Sequence, residues 1–280
     1  MVTQYTKKLN DRGVSEAIGF MLIFTIVIAG IGLVTLYGYP LLLQQQVGAD
    51  EKIMEKNMIV LQNDIKSLAY KSVPFKETSL KIGGGSLTVY NSSYSQSSIL
   101  TIQDSGTTYV NSFKPGELRY ESVSSQMDIS LQNGAVVMRP RISKASTNGS
   151  VMISEPRWFL DANPTTKNTT LVINLINITS NDITAKEGIG TVQMNLGQTS
   201  YVPPQAVSFP LTIVYTPGNN DYSVAWDNYI MKTLNNPTAI SVTRAGTPGT
   251  GLPLTYTIRQ VGSNPLDLVI KKYEVKIKNI

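Results

Sequence analysis

The residues with the most distinctive chemistry lie at the edge of a long apolar run near the N-terminus. Arg12, Gly13, Val14, Ser15 and Glu16 precede that run directly. A carboxylate beside hydrocarbon is costly unless it reaches water or meets an opposite charge. Either the chain stays intact and Glu16 reaches the interface beside Arg12, or the chain is cut between Gly13 and Val14. In the second case a new α-ammonium group, two residues from Glu16, pairs with that carboxylate.

Residues that commonly perform catalysis are missing from the composition. The chain has no histidine and no cysteine, which removes the usual general base, the commonest metal ligand and the thiolate nucleophile. Gly83, Gly84 and Gly85 are not followed by the Lys-Ser/Thr pair of a phosphate-binding loop, so we expect a turn there. A calcium site assembled from separate loops stays open. We therefore expect no enzyme activity, no catalytic or metal-binding residues and no cofactor.

The apolar run indicates a membrane span. Residues 17–43 contain no charged side chain over 27 positions, whereas about 20 apolar residues suffice to cross a bilayer. A secretory signal has a shorter apolar core, of roughly 7–15 residues, and a cleavage site after it. Lys7, Lys8 and Arg12 precede the run, so the positive-inside rule places the N-terminus in the cytoplasm and the remainder outside. The net charge of +5 is scattered, and nucleic acid is not an expected partner.

The N-terminal 45 residues carry a resemblance to a known family. A basic residue, glycine and a short Ser-Glu stretch before a long apolar helix resemble the class III signal peptide of archaeal type IV pilins and archaellins. The resemblance implies that a prepilin-type leader peptidase removes residues 1–13 by cutting between Gly13 and Val14. It also implies that the helix becomes a filament stalk and that other pilin-like subunits are partners. Glu16, the implied assembly residue, stands third from the new end, whereas bacterial relatives carry glutamate fifth, where this chain has Ile18.

The helix is predicted to continue beyond the membrane, over residues 14–73 in total. An apolar stripe with a single acidic member recurs at spacings of four and three through Val47, Glu51, Met54, Met58, Leu61, Ile65 and Leu68. The stripe over residues 47–72 packs either on the core of its own domain or in a seam shared with other subunits. Pro40, preceded by Gly38, is expected to kink or locally melt the helix, and Pro74 is expected to end it.

Residues 74–280 change to a period of two, which indicates strands. We predict a mainly β fold with about ten to fourteen strands, as one antiparallel β-sandwich or two packed β modules. Residues 221–234 form the exception, an inserted short helix with Tyr222, Trp226, Tyr229 and Ile230 on one face. Trp158 and Trp226 are expected in the core and not at a sugar-stacking surface. The region is also similar to uncharacterised archaeal surface proteins with a pilin-like start.

Four Asn-x-Ser/Thr triplets agree with an exported domain. Their asparagines are Asn91, Asn148, Asn168 and Asn177. Such triplets arise by chance in a sequence rich in Ser, Thr and Asn, so a single one is weak. With the predicted topology, we expect at least one to carry a glycan.

Two functions of different classes follow from these patterns. The first is a minor structural or adhesive subunit of a type IV pilus-like filament, in which the cleaved helix enters a bundle and the β domain is displayed outward. The second is a membrane-anchored surface protein that binds or adheres but does not polymerise.

Overall fold

The structure, a computed structural model, describes residues 11–93, 96–141, 149–162, 168–181, 185–262 and 265–280, with side chains from residue 15 onward. The chain forms two compact units, Met1–Ala49 and Asp50–Ile280. The second unit begins inside the long helix, so the last part of that helix belongs to the same unit as the β region.

The N-terminal helical segments are α1 (Asp11–Leu33), a π-helical turn (Val34–Gly38) and α2 (Tyr39–Lys71). The expected melting at Pro40 is wrong, because the helix continues through it. Proline has no N–H, and its ring clashes with the carbonyl four residues earlier, here that of Leu36. The wider π turn includes Leu36 and ends two residues before Pro40. The helix therefore passes the proline by local widening.

Segment Ser15–Lys71 is a helix long and apolar enough to cross a membrane. The two threonines of its apolar region bond within the helix: Thr25 Oγ1 donates to the Met21 carbonyl at 2.7 Å, and Thr35 Oγ1 to the Ile31 carbonyl at 2.8 Å. Polar groups in hydrocarbon must be satisfied internally. These back-bonds meet that requirement and are compatible with either a membrane anchor or a signal sequence.

The second unit confirms the mainly β fold. Its strands form a nine-stranded sheet in the order β7-β6-β5-β4-β1-β10-β14-β9-β8 and a five-stranded sheet in the order β12-β13-β11-β2-β3. The short inserted helix is α3 (Ser223–Leu234). The strands are β1 (Phe75–Tyr90), β2 (Ile99–Gln103), β3 (Thr108–Phe113), β4 (Glu117–Ser122), β5 (Met127–Gln132), β6 (Ala135–Pro140), β7 (Val151–Ser154), β8 (Phe159–Ala162), β9 (Thr169–Ser180), β10 (Ala185–Ala206), β11 (Leu211–Thr216), β12 (Ile240–Ala245), β13 (Leu254–Gln260) and β14 (Leu266–Asn279).

Most strand pairs are antiparallel, as predicted, but β9 and β14 run in parallel. Leu266–Ile277 pairs in register with Thr169–Ser180. A parallel pair needs a long crossover, and here β10, α3 and three strands of the second sheet, β11, β12 and β13, lie between the two strands in sequence. This connection links the two sheets, which belong to one compact unit.

The apolar stripe of α2 packs on the core of its own domain. Met54, Met58, Leu61, Ile65 and Leu68 are fully buried against one face of the nine-stranded sheet. Burying a large apolar side chain contributes roughly 1.5–3 kcal/mol relative to exposure. The opposite face, the five-stranded sheet and α3 share a second core. Over residues 54–68, the interpretation as a seam between subunits is therefore wrong.

The glycine triplet lies inside β1 and not in a turn. At this point the pairing of β1 with β10 is irregular, and its pairing with β4 begins. A Cβ atom on Gly85 would lie 2.2 Å from the Glu121 carbonyl oxygen, and Gly84 has φ +64°. Position 85 requires glycine because any side chain would clash with the Glu121 carbonyl, and position 84 favours glycine because of its positive φ.

Candidate functional site

The predicted processing site lies in the first turns of α1. Gly13 and Val14 belong to that helix, although their side chains fall outside the described ones. Glu16 is exposed, and among the described residues it has no ion-pair partner. The cut at Gly13-Val14 and the pairing of Glu16 with a new N-terminus remain predictions.

Beyond Glu16 the helix presents apolar side chains on all sides. The large apolar residues from Ile18 to Leu43 are between 43% and 72% exposed. Soluble monomers rarely expose a contiguous apolar patch above a few hundred Å². A helix that is apolar all round is buried in protein or in a membrane. This surface therefore requires lipid or other protein chains to cover it.

The four glycosylation candidates differ in accessibility. Asn168 is exposed at the start of β9. Asn91 is half-buried, and its Nδ2 donates to the Ser180 carbonyl at 2.6 Å. Asn177 lies within β9, and its buried Oδ1 has no hydrogen-bond partner in the segments that the structure describes. Asn148 lies outside the described residues. Of the described candidates, Asn168 is the best presented to a modifying enzyme.

Both tryptophans belong to the core, as predicted. Trp158 and Trp226 have ring centroids 5.7 Å apart, and Tyr229 packs edge-on to each. Trp158 Nε1 donates to the Asn174 carbonyl at 2.8 Å. Their burial excludes a role as a sugar-stacking surface. The strong aromatic packing instead fixes α3 against the sheets.

Sequence reasoning missed a polar cleft on the face of the nine-stranded sheet away from α2. Alternation along β4 sends Leu118 and Tyr120 into the core below α2 and turns Glu117, Arg119 and Glu121 to the other face. Arg119 donates from Nη2 to Glu117 at 2.8 Å and from Nη1 to Glu121 at 2.9 Å. The alternating charges of Glu117, Arg119 and Glu121 were the signal available in the sequence.

The cleft has a volume of about 180 Å³ and lies between β4, the end of β5 and the segment before α3. Three of its lining residues have a buried polar atom without a hydrogen-bond partner in the described part of the chain: Arg119 Nε, Gln132 Nε2 and Tyr222 Oη. Gln132 and Tyr222 are only 3% and 2% exposed. Burial, followed by the charge of Glu117, raises the pKa of Tyr222 well above its usual value, so its hydroxyl stays protonated as a donor.

The chemistry of a metal centre is not found in the part of the chain that the structure describes. No group of three acidic side chains there could hold a metal ion. Asp221 instead accepts hydrogen bonds at 2.8 Å from the Ser223 and Gly251 backbone N–H groups, next to the start of α3. The carboxylate therefore stabilises the loop that leads into the helix.

Comparison with known proteins places the chain in a family without assigning an activity. No curated protein and no solved structure matches it. One family model matches residues 12–248, so it spans the apolar helix and most of the β region together. The chain belongs to the family of unknown function DUF7289.

Proposed function

We propose that this protein is a pilin-like, membrane-anchored surface protein, processed after Gly13 and incorporated as a minor subunit into a type IV pilus-like filament. The observation that carries the proposal is the apolar helix surface from Ile18 to Leu43, whose side chains are exposed in the single chain. Lipid covers this surface before assembly, and helices of neighbouring subunits cover it afterwards. One family model that spans helix and β region supports treating the two as parts of one working protein.

The two ends of the long helix have separate tasks in this proposal. The stripe from Met54 to Leu68 is buried in the core of its own domain and has no surface left for contacts with other subunits. Contacts with lipid and with other subunits therefore fall to the segment before Asp50, where the large side chains are apolar and exposed. Because such head-to-tail contacts between copies do not close on themselves, they extend into a filament.

Removal of the leader is required because it carries charge. Lys7, Lys8 and Arg12 lie before Gly13. Each charge moved into an apolar environment costs roughly 2.5–3.5 kcal/mol on insertion scales. The same charges hold the N-terminus in the cytoplasm before cleavage, which puts the β domain outside the cell.

The proposal is tested by Gly13→Val in the native host. A β-branched residue in place of glycine blocks the peptidase cleft, so a full-length chain is expected in the membrane fraction and none in isolated filaments. Gly149→Val is the matched control, because a Cβ atom at Gly149 meets nothing within 4 Å and the substitution lies in the β domain, away from both the cleavage site and the apolar helix surface. Normal processing of Gly13→Val, or its presence in filaments at the control's level, would contradict the proposal.

A second candidate function is a non-polymerising, membrane-anchored binding protein. The polar cleft with its unpartnered donors favours a binding role of the β domain. Mass spectrometry of isolated surface filaments separates the two functions. The chain among filament subunits supports the first, while its recovery only in membranes supports the second.

A further inference from the structure

We propose that the cleft formed by Arg119, Gln132 and Tyr222 binds one neutral sugar ring, with these three side chains donating hydrogen bonds to its oxygens. This inference concerns the β domain and does not depend on leader cleavage or filament assembly.

The first step is the state of the donors. Buried polar side chains nearly always have a hydrogen-bond partner, and leaving one unpaired costs about 1–3 kcal/mol. Here Arg119, Gln132 and Tyr222 line one cleft, and the Nε, Nε2 and Oη atoms of these side chains lack a hydrogen-bond partner among the described residues. Three unmet donors at one place indicate an acceptor-rich occupant.

The second step is the charge of the occupant. The Arg119 guanidinium is already paired with two carboxylates, Glu117 and Glu121. Glu117 also accepts from Ser130 Oγ at 2.5 Å, so its own oxygens are engaged. An anionic ligand would meet the repulsion of both carboxylates without a free countercharge. Oxygen atoms without net charge, such as ring and hydroxyl oxygens, fit these donors better.

The volume of the cleft and the polarity of its lining residues limit the kind of ligand that fits. A volume of about 180 Å³ is far above the roughly 10–15 Å³ that holds one water. It is also below the roughly 300–1,000 Å³ of sites for drug-sized ligands. Ser97, Asn219 and Asn220 line the cleft as well and carry groups that both donate and accept. Sugar hydroxyls also donate and accept, so a single pyranose ring matches both the size and the polar lining.

The test uses the full chain in detergent and saturation-transfer NMR with glucose, galactose, mannose and N-acetylglucosamine as probes. Methyl glycosides of the same sugars have a blocked anomeric hydroxyl, as a sugar at the end of a glycan does. A site for glycan ends should bind the glycoside as well as the free sugar, whereas a site for free reducing sugars should bind it less well. Acetate, observed directly, and sulfate, which has no protons and is read by its competition with the sugar signal, form the anion arm. We expect saturation transfer to at least one sugar, none to acetate, and no loss of the sugar signal when sulfate is added.

Two variants then connect binding to the cleft. Tyr222→Phe removes one hydroxyl and Gln132→Met removes the amide, and each is expected to weaken sugar binding about three- to tenfold through one lost hydrogen bond. Tyr201→Phe is the matched control, because it removes the same atom from an exposed tyrosine on β10. Since the Tyr222 hydroxyl has no hydrogen-bond partner among the described residues, Tyr222→Phe is expected to unfold at the same temperature as the parent or higher.

Three outcomes would overturn the proposal. The first is no saturation transfer to any sugar or glycoside, and the second is binding of acetate or sulfate in competition with sugar. The third is equal sugar affinity in Tyr222→Phe, Gln132→Met and the Tyr201→Phe control.

Discussion

Gln62 shows how a single polar side chain joins the long helix to the β domain. It is fully buried on α2. Its Nε2 donates to the Gly134 carbonyl at 2.7 Å, and its Oε1 accepts from Ser154 Oγ at 2.6 Å. The side chain thereby ties the helix to the β5–β6 turn and to the end of β7. A fully satisfied buried polar group of this kind fixes one arrangement of the elements that it joins.

Gln62→Leu is expected to lower the free energy of unfolding by about 1–3 kcal/mol, because it leaves the Gly134 carbonyl buried and unpaired. Denaturant unfolding of the full chain in detergent, followed by tryptophan fluorescence, measures the change. Asn63→Leu, at the exposed neighbouring position, is the control and should stay within about 0.5 kcal/mol of the parent. If both variants lost the same free energy of unfolding, the hydrogen bonds of Gln62 would add no stability beyond the effect of the surface substitution.

Accessibility at single residues also orders the glycosylation candidates. If the β domain is exported and modified, Asn168 should carry the glycan, because it is exposed whereas the Asn177 side chain is held in a strand with its Oδ1 buried. Intact mass of the protein from its native host should exceed the polypeptide mass. Asn168→Gln should reduce this excess and Asn177→Gln should leave it unchanged. An excess retained in full by Asn168→Gln would reject the assignment.

Among the elements, α2 has two different surroundings along its length. Its first residues expose apolar side chains, whereas its stripe from Met54 to Leu68 is buried against the sheet. Leu61→Ala removes a fully buried side chain between α2 and the sheet and should cost about 2–5 kcal/mol of unfolding free energy. Val60→Ala, one residue earlier and 47% exposed, should cost less than about 1 kcal/mol. The same fluorescence titration reports both. Similar losses of unfolding free energy in the two variants would contradict the packing of the stripe on its own domain and favour a seam between subunits.

The elements that the sequence predicted are those with a local signal. The period of two over residues 74–280 and the helical spacing of Tyr222, Trp226, Tyr229 and Ile230 identified strands and the inserted helix correctly, because these patterns depend on neighbours along the chain. The parallel pairing of β9 with β14 and the irregular pairing of β1 around Gly85 depend on partners distant in sequence. The cleft was missed for the same reason, because Arg119, Gln132 and Tyr222 meet only after the sheets form.

At the scale of the whole molecule, the chain contains one unit with buried apolar cores and one unit whose large apolar side chains are exposed. Asp50–Ile280 contains both apolar cores, while the large apolar side chains from Ile18 to Leu43 are exposed. This contrast is what an anchor or stalk joined to a displayed domain requires. It also explains why covering the N-terminal segment dominates the proposed function.

The proposed topology makes a direct prediction for intact cells. Protease added outside should degrade the β domain and leave a short N-terminal fragment, because residues after about 50 are expected outside the membrane. A cytoplasmic protein should remain intact in the same sample, as the control for lysis. Protection of the whole chain until the cells are lysed would contradict the topology.

The central claim, a pilin-like processed subunit, is tested most directly by N-terminal sequencing of the mature protein from its native host. The account predicts a chain that begins at Val14, with Glu16 third from the new α-ammonium group. Glu16→Gln should be cut at the same bond, since the carboxylate pairs with the new terminus only after cleavage. A mature chain that still begins at Met1 or Val2 would contradict the claim and leave a plain membrane-anchored surface protein.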